Sequence, residues 1–405
     1  MHKGIAGTLA LAALAAAGFV GLAAWQGSEV DVFHGKTFPL PGDVFEAKVS
    51  TEKLDFLHRG VLVEVRAKGA GADIPAVATW SGEVGLGLFP RLRLVLSEED
   101  KRAAGLEVDD ELTVGFSPFG REKDLQLRMR NLRATEADLL CETADYNLSI
   151  DLDRSVARLQ GAPLRCTMPA ANLVFEAGPL SLTYDGWTDD PYVGRLTTEI
   201  ESLRYGDEWR VGRVRTVSST TKLAAPESKE GRTGGVLDTV NVTYGQTFEW
   251  EMENVSSAHF PLETKRFVLR SHADKMPARV FDYLMALAVQ GDFGGADPLE
   301  AVGVLQDAFV RGGFTVDVDE SRWETNVGEA SFAGRLAAVK ADEKAPLQLG
   351  AFSLLCDETL LKAVSGAEGE ALVRDGYLKR TGEGKLSSQI VIDEEKLTVN
   401  GKRVF

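Results

Sequence analysis

Past residue 60 the chain is dominated by alternation of apolar and polar positions. In Val61–Ala67, Val61, Val63 and Val65 alternate with Leu62, Glu64 and Arg66, the two-residue period of a pleated strand with one apolar face. The period recurs at Leu92–Leu96, Leu112–Phe116, Leu125–Leu132, Asn147–Leu152, Leu173–Glu176 and Leu180–Tyr184. It returns at Leu196–Tyr205, Glu208–Val217, Val236–Tyr244, Phe248–Val255 and Phe267–Ser271. Gly-Asp, Gly-Gln and Asp-Gly pairs punctuate these segments, as hairpin turns do.

Helical spacing is confined to a few places. Ser97-Glu98-Glu99-Asp100 reads as a capped turn ending near Gly105. Ala278–Gln290 sets Phe281, Leu284, Met285 and Ala288 on one face, and Pro298–Val310 does the same with Leu299, Val302, Leu305 and Phe309. Strands are expected again at Phe314–Val318, Gly328–Ala338 and Gln348–Ser353, then short helices at Glu358–Val364 and Gly369–Arg380. A hairpin of Ser387–Asp393 and Lys396–Asn400 around Glu394-Glu395 closes the chain, with a last turn at Asn400-Gly401. The pattern predicts a mainly β, α+β fold: an extended, mostly antiparallel body with a helical pair inserted near residues 278–311.

The first residues follow a different rule. Gly4–Trp25 is 22 residues without a charge, a helix of roughly 33 Å against a hydrocarbon core of about 30 Å. Gly4, Leu9, Leu11, Leu14, Phe19, Val20 and Leu22 form the apolar run, and Trp25 falls at headgroup level. Lys3 before it, with Glu29 and Asp31 behind, directs the N-terminus inward and the body outward. The run reads as a retained anchor; a cleaved export signal competes, though Leu22-Ala23-Ala24 makes a poor cleavage site. Expected regions are thus an anchor over 1–25, a Pro- and Gly-bearing linker over 26–46, a β-rich region over 47–273, the helical pair over 274–313, and a C-terminal β region with two short helices over 314–405.

A net charge of −16 repels phosphate backbones and so argues against nucleic acid as a partner. Three cysteines are too few for a disulfide scaffold. Cys141 and Cys166 could pair in an oxidising compartment and leave Cys356 over; three buried small hydrophobes is the alternative.

No reaction is legible. His2, His34, His58, His259 and His272 are far apart and make no HExxH pattern, so neither a metal nor a cofactor is expected. The series Asp145, Asn147, Ser149, Asp151 and Asp153 lacks the glycine of a calcium loop, having Ile150 in its place, and reads as the wet side of a strand. Ser331 sits in no nucleophile elbow. Asp185, Asp189 and Asp190 around Trp187 and Tyr192 mix acids with aromatics, as sugar sites and packed polar loops both do. In Phe248-Glu249-Trp250-Glu251-Met252-Glu253 the alternation is strict. Phe248, Trp250 and Met252 form one apolar face, either a core covered by the helical pair or an open trough for lipid or a partner segment.

Several segments together resemble the YdgA-like family of bacterial proteins of unknown function. They are His58-Arg59-Gly60 opening a strand after the anchor, Phe89-Pro90, and Asn400-Gly401-Lys402 after the last hydrophobic alternation. The histidine that the family places ahead of its Phe-Pro pair is missing, and this chain is shorter than typical members. The resemblance implies an inner-membrane-anchored protein facing the periplasm, with no established activity and no catalytic residues to carry over. The expectation is a non-enzymatic envelope protein that binds or scaffolds envelope components, with lipid binding by an apolar β groove as the alternative and a hydrolase built from dispersed residues as a distant third. Oligomeric state is not indicated.

Overall fold

In the computed structural model the described residues are 33–39, 45–54, 58–67, 76–85, 91–116, 122–136, 138–186, 193–223, 243–277, 313–339, 348–382, 384–393 and 396–404. The anchor Gly4–Trp25, the helical pair near 278–311, the Trp187–Tyr192 cluster and Phe89-Pro90 lie outside them. Among the described residues the protein is mainly antiparallel β with two α-helices, and no helix is long and apolar enough to cross a membrane. The chain divides into two compact units, Met1–Asp185 with Arg204–Gly206, and Gly186–Leu203 with Asp207–Phe405.

The first unit is a meander. Its strands are β1 (Thr37–Pro39), β2 (Phe45–Lys53), β3 (His58–Ala67), β4 (Ala78–Gly85), β5 (Arg91–Leu96), β6 (Leu106–Phe116), β7 (Glu122–Glu136) and β8 (Leu139–Asp151). Each pairs antiparallel with the next. Along β8, Tyr146–Asp151 pairs with β9 (Val156–Gly161) and Leu140–Thr143 with β10 (Leu164–Met168). On these lie β12 (Leu180–Asp185) and β11 (Leu173–Ala177) respectively. After β13 (Gly194–Ile200), which belongs to the second unit, β14 (Leu203–Tyr205) returns to β11.

Alternation sends Val61, Val63, Val65, Trp80, Leu92, Leu94, Leu112, Val114, Leu125 and Leu127 into one core. Trp80 and Val65 are wholly inaccessible. Among the described residues the only α-helix of this unit is α1 (Glu98–Ala103), and the buried cluster draws on every strand from β2 to β8, as side chains on the inner side of a twisted, coiling sheet do. Part of the expected linker 26–46 is sheet instead: Phe38 of β1 sits opposite Ala47, its ring 6.1 Å from that of buried Phe33. The aromatic pair supplies the burial that a stalk would lack.

Helix α1 is capped as its sequence predicts, the Ser97 hydroxyl accepting from the Asp100 N–H at 3.1 Å. Its Lys101 is buried, with Nζ 2.8 Å from both Asp110 and Glu98. The other Asp110 oxygen accepts from the Leu96 N–H at 2.7 Å. Burial alone would lower the Lys101 pKa, but hydrogen bonds to Asp110 and Glu98 outweigh it and hold the ammonium above its ordinary value.

In the second unit β13 pairs with β16 (Arg213–Lys222), and β15 (Trp209–Val211) extends alongside β17 (Thr243–Ser257). From β16 the order runs β17, β18 (Phe260–Pro277), β19 (Thr315–Thr325), β20 (Glu329–Val339) and β21 (Gln348–Asp357). Helix α2 (Glu358–Arg374) and β22 (Lys379–Arg380) intervene before β23 (Lys385–Asp393) pairs with β21. Short strands β24 (Leu397–Val399) and β25 (Lys402–Arg403) end the sheet.

The two helices expected over 358–380 are both there: α2 is two helices divided by a kink at the non-helical Gly366 (φ 53°, ψ −127°). It stops at Arg374 because the following Leu378 and the strand Lys379–Arg380 return to the sheet, Leu378 joining buried Cys356 and Leu386. Leu196–Tyr205 and Glu208–Val217, each expected as one strand, are each two; the first breaks at Glu201-Ser202, ahead of the turn at Gly206 (φ 57°), and the second at Gly212, whose N–H is held by the Glu253 carbonyl.

Candidate binding face

Strict alternation in β17 sorts its side chains into two faces, and the register with β16 and β18 extends each face across the unit. One transverse row reads Val214, Met252, Phe267, Trp323, Ala330, Cys356 and Leu386. Another places Phe248 between Ser218 and Ser271 and continues through Val318, Gly334, Phe352 and Ile390. Trp250 stands between the rows, opposite Leu269. The Trp250 ring meets Phe267 edge-on at 5.5 Å, and Phe332 stacks on Phe352 at 5.2 Å. The Trp323 indole N–H donates to the Thr264 hydroxyl at 2.8 Å, fixing that ring.

Where α2 covers this face, Cys356, Leu378 and Leu386 are buried together with help from Leu354, Leu361 and Val373. Beyond α2 the large side chains Phe248, Trp250, Met252, Phe267, Leu269, Phe332 and Phe352 are only half-buried. Burial pushes the Cys356 thiol up, making it a poor nucleophile.

The reverse face is a lattice of ion pairs. Glu249 bridges Arg270 (2.8 Å) and Arg215 (3.1 Å), Glu251 takes Arg266 at 2.6 Å, and Arg213 joins Glu199 (2.8 Å) to Glu253 (3.6 Å). The hydrogen bond from Arg270, backed by Arg215 and Arg266, holds the Glu249 carboxyl below its ordinary range. These ion pairs fix the register of β16, β17 and β18, since a one-residue slip would bring the charges to the aromatic side.

Other candidate residues among those described take definite places in the fold. Cys141 and Cys166, directly opposite on β8 and β10, are joined by a disulfide. His58, Arg59 and Gly60 open β3 against Gly85, Val84 and Glu83 of β4. Asn400 and Gly401 (φ 51° and 81°) form the final turn, where a left-handed backbone suits asparagine and glycine. The Asn400 side chain accepts from Gln389 N–H (3.0 Å) and donates to the Tyr377 carbonyl (2.9 Å), and the Lys402 ammonium donates to the Asp375 carbonyl behind α2. The Asn-Gly-Lys element therefore ties the last hairpin to the end of the helix. Asp145–Asp151 lies within β8, and Asp151 accepts from Arg154 N–H in the turn that follows.

One cluster escaped the sequence: His272 lies 3.3 Å from Asp317 and 3.8 Å from Asp319, brought together only by the β18–β19 register. Among the described residues no three His, Cys, Asp or Glu side chains converge to hold a metal ion. No family model matches the chain, no curated protein is similar to it, and no solved structure resembles it.

Proposed function

We propose that this chain is a non-enzymatic, single-pass inner-membrane protein with its body in the periplasm, and that the aromatic face of the second unit binds the acyl part of a lipid. The observation that carries the reading is the half-buried set of Phe248, Trp250, Met252, Phe267 and Leu269, backed by a reverse side on which Glu249 and Glu251 are paired with arginines. Aromatic surface interspersed with small uncharged side chains such as Thr216, Ser218 and Ser271 suits a flexible hydrocarbon chain, which gains by leaving water and asks for no hydrogen bonds. The uncharged run Gly4–Trp25 and the Cys141–Cys166 disulfide support the compartment, as does the YdgA-like resemblance.

Native mass spectrometry of the purified chain is expected to show co-purifying lipid in the wild type. Trp250→Lys should lower its occupancy at least tenfold, because an ammonium set in an apolar site costs several kcal/mol. A lipid-free mass across several preparations would sink the lipid reading. The same face would then serve as a scaffold for an apolar segment of another envelope protein, a reading supported by its width across β17 to β21.

A further inference from the structure

At one end of the second unit's sheet, consecutive turns each present a large apolar side chain to solvent. Trp209, where β15 begins, is 47% exposed; Phe260, where β18 begins, 41%; Val327, in the β19–β20 turn, 39%. The register puts all three at the same end. Trp209 lies opposite Ser257, which pairs with Phe260, and the Asn326 N–H bonds the Glu263 carbonyl at 3.0 Å. Their backbones are held: Ala258 N–H donates to Glu208 at 2.9 Å, and the Thr359 hydroxyl donates to the Val327 carbonyl at 2.9 Å.

We propose that this end docks on the interfacial zone of a zwitterionic lipid bilayer, with Trp209 and Phe260 seated among the headgroups. The three side chains stand on separate turns. Phe260 lies four residues beyond the Thr264–Thr325 pair, roughly 13 Å toward the tip. A protein partner favours a closely packed, continuous patch, whereas an interface of variable depth accepts staggered aromatics singly. The surroundings stay hydrated at that depth: Glu208 pairs with His259 at 3.1 Å, and Asp207, Arg210 and Glu263 flank the tips. That mixed, slightly acidic rim offers nothing to an anionic surface, which selects neutral headgroups.

The test uses the full chain in phosphatidylcholine vesicles. An environment-sensitive dye is placed at Phe260→Cys, or at Val404→Cys as control. Val404 is 47% exposed and bonds Leu397, opposite Ile392 at the far end of β23. Native thiols do not compete, Cys141 and Cys166 being joined and Cys356 buried. Bromine-labelled phosphatidylcholine should quench the dye at 260 at least twofold more than at 404, and adding Trp209→Ser should remove most of that difference. Equal quenching at the two positions, strong or weak, would overturn the proposal. Docking is read by quenching and lipid loading by bound mass, so either can fail while the other stands.

Discussion

Lys101 and Asp110 show how much one pair of residues can decide. Their side chains are 9% and 3% exposed, and each is the other's main compensation for leaving water. Lys101→Met strands the Asp110 carboxylate and is expected to cost about 3–5 kcal/mol, read as a lower urea midpoint of the first unit. Because the folded Lys101 pKa is raised, its contribution is complete below the unfolded value of about 10.4 and fades as pH rises through the folded one. Glu249 has the opposite sign. Its folded pKa is lowered, so the contribution is complete above about pH 4.3 and fades as pH falls through the folded value. Wild type and Glu249→Gln should therefore differ in urea midpoint at pH 7 and converge in acid; a constant gap would contradict the Arg270 and Arg215 assignments.

At the scale of elements, the disulfide spans 25 residues and fastens β10 to β8. Chain entropy assigns such a loop about 3–4 kcal/mol, so Cys141→Ser with Cys166→Ser should lower the thermal midpoint of the first unit by several degrees in non-reducing calorimetry. Strands with plain alternation, such as β3 and β7, could be read directly from their residues. Strand β4 could not: Ala78-Thr79-Trp80-Ser81-Gly82 is too polar to stand out, yet its pairing with β3 and β5 buries Trp80 wholly. Helix α1 was legible because its cap is local, an interaction three residues apart. The candidate face was half legible: β17 announces Phe248, Trp250 and Met252, but their rows of neighbours come from register, which no single segment encodes.

For the whole molecule, two units with their own packing should give more than one unfolding step. Trp80→Ala, which empties the first unit's core, should shift one calorimetric transition by an amount matching a loss of about 3–5 kcal/mol and leave another in place. Placement outside the cytoplasm is tested separately. A phosphatase that folds only in an oxidising compartment, fused after Phe405, should be active, and an inactive fusion with an active cytosolic reporter at the same position would end the periplasmic reading.

By itself the sequence determined the strand-rich class, the sidedness of each strand and the two-faced character of β17, because a period of two residues is a local property. Tertiary structure decided which sides met. It gathered apolar residues of β2 to β8 into one core, laid arginines from β16 and β18 against the β17 glutamates, drew His272 to Asp317, and left the aromatic side chains beyond α2 half-buried. These depend on pairing between residues tens of positions apart, whose energies arise only once the chain has chosen its register.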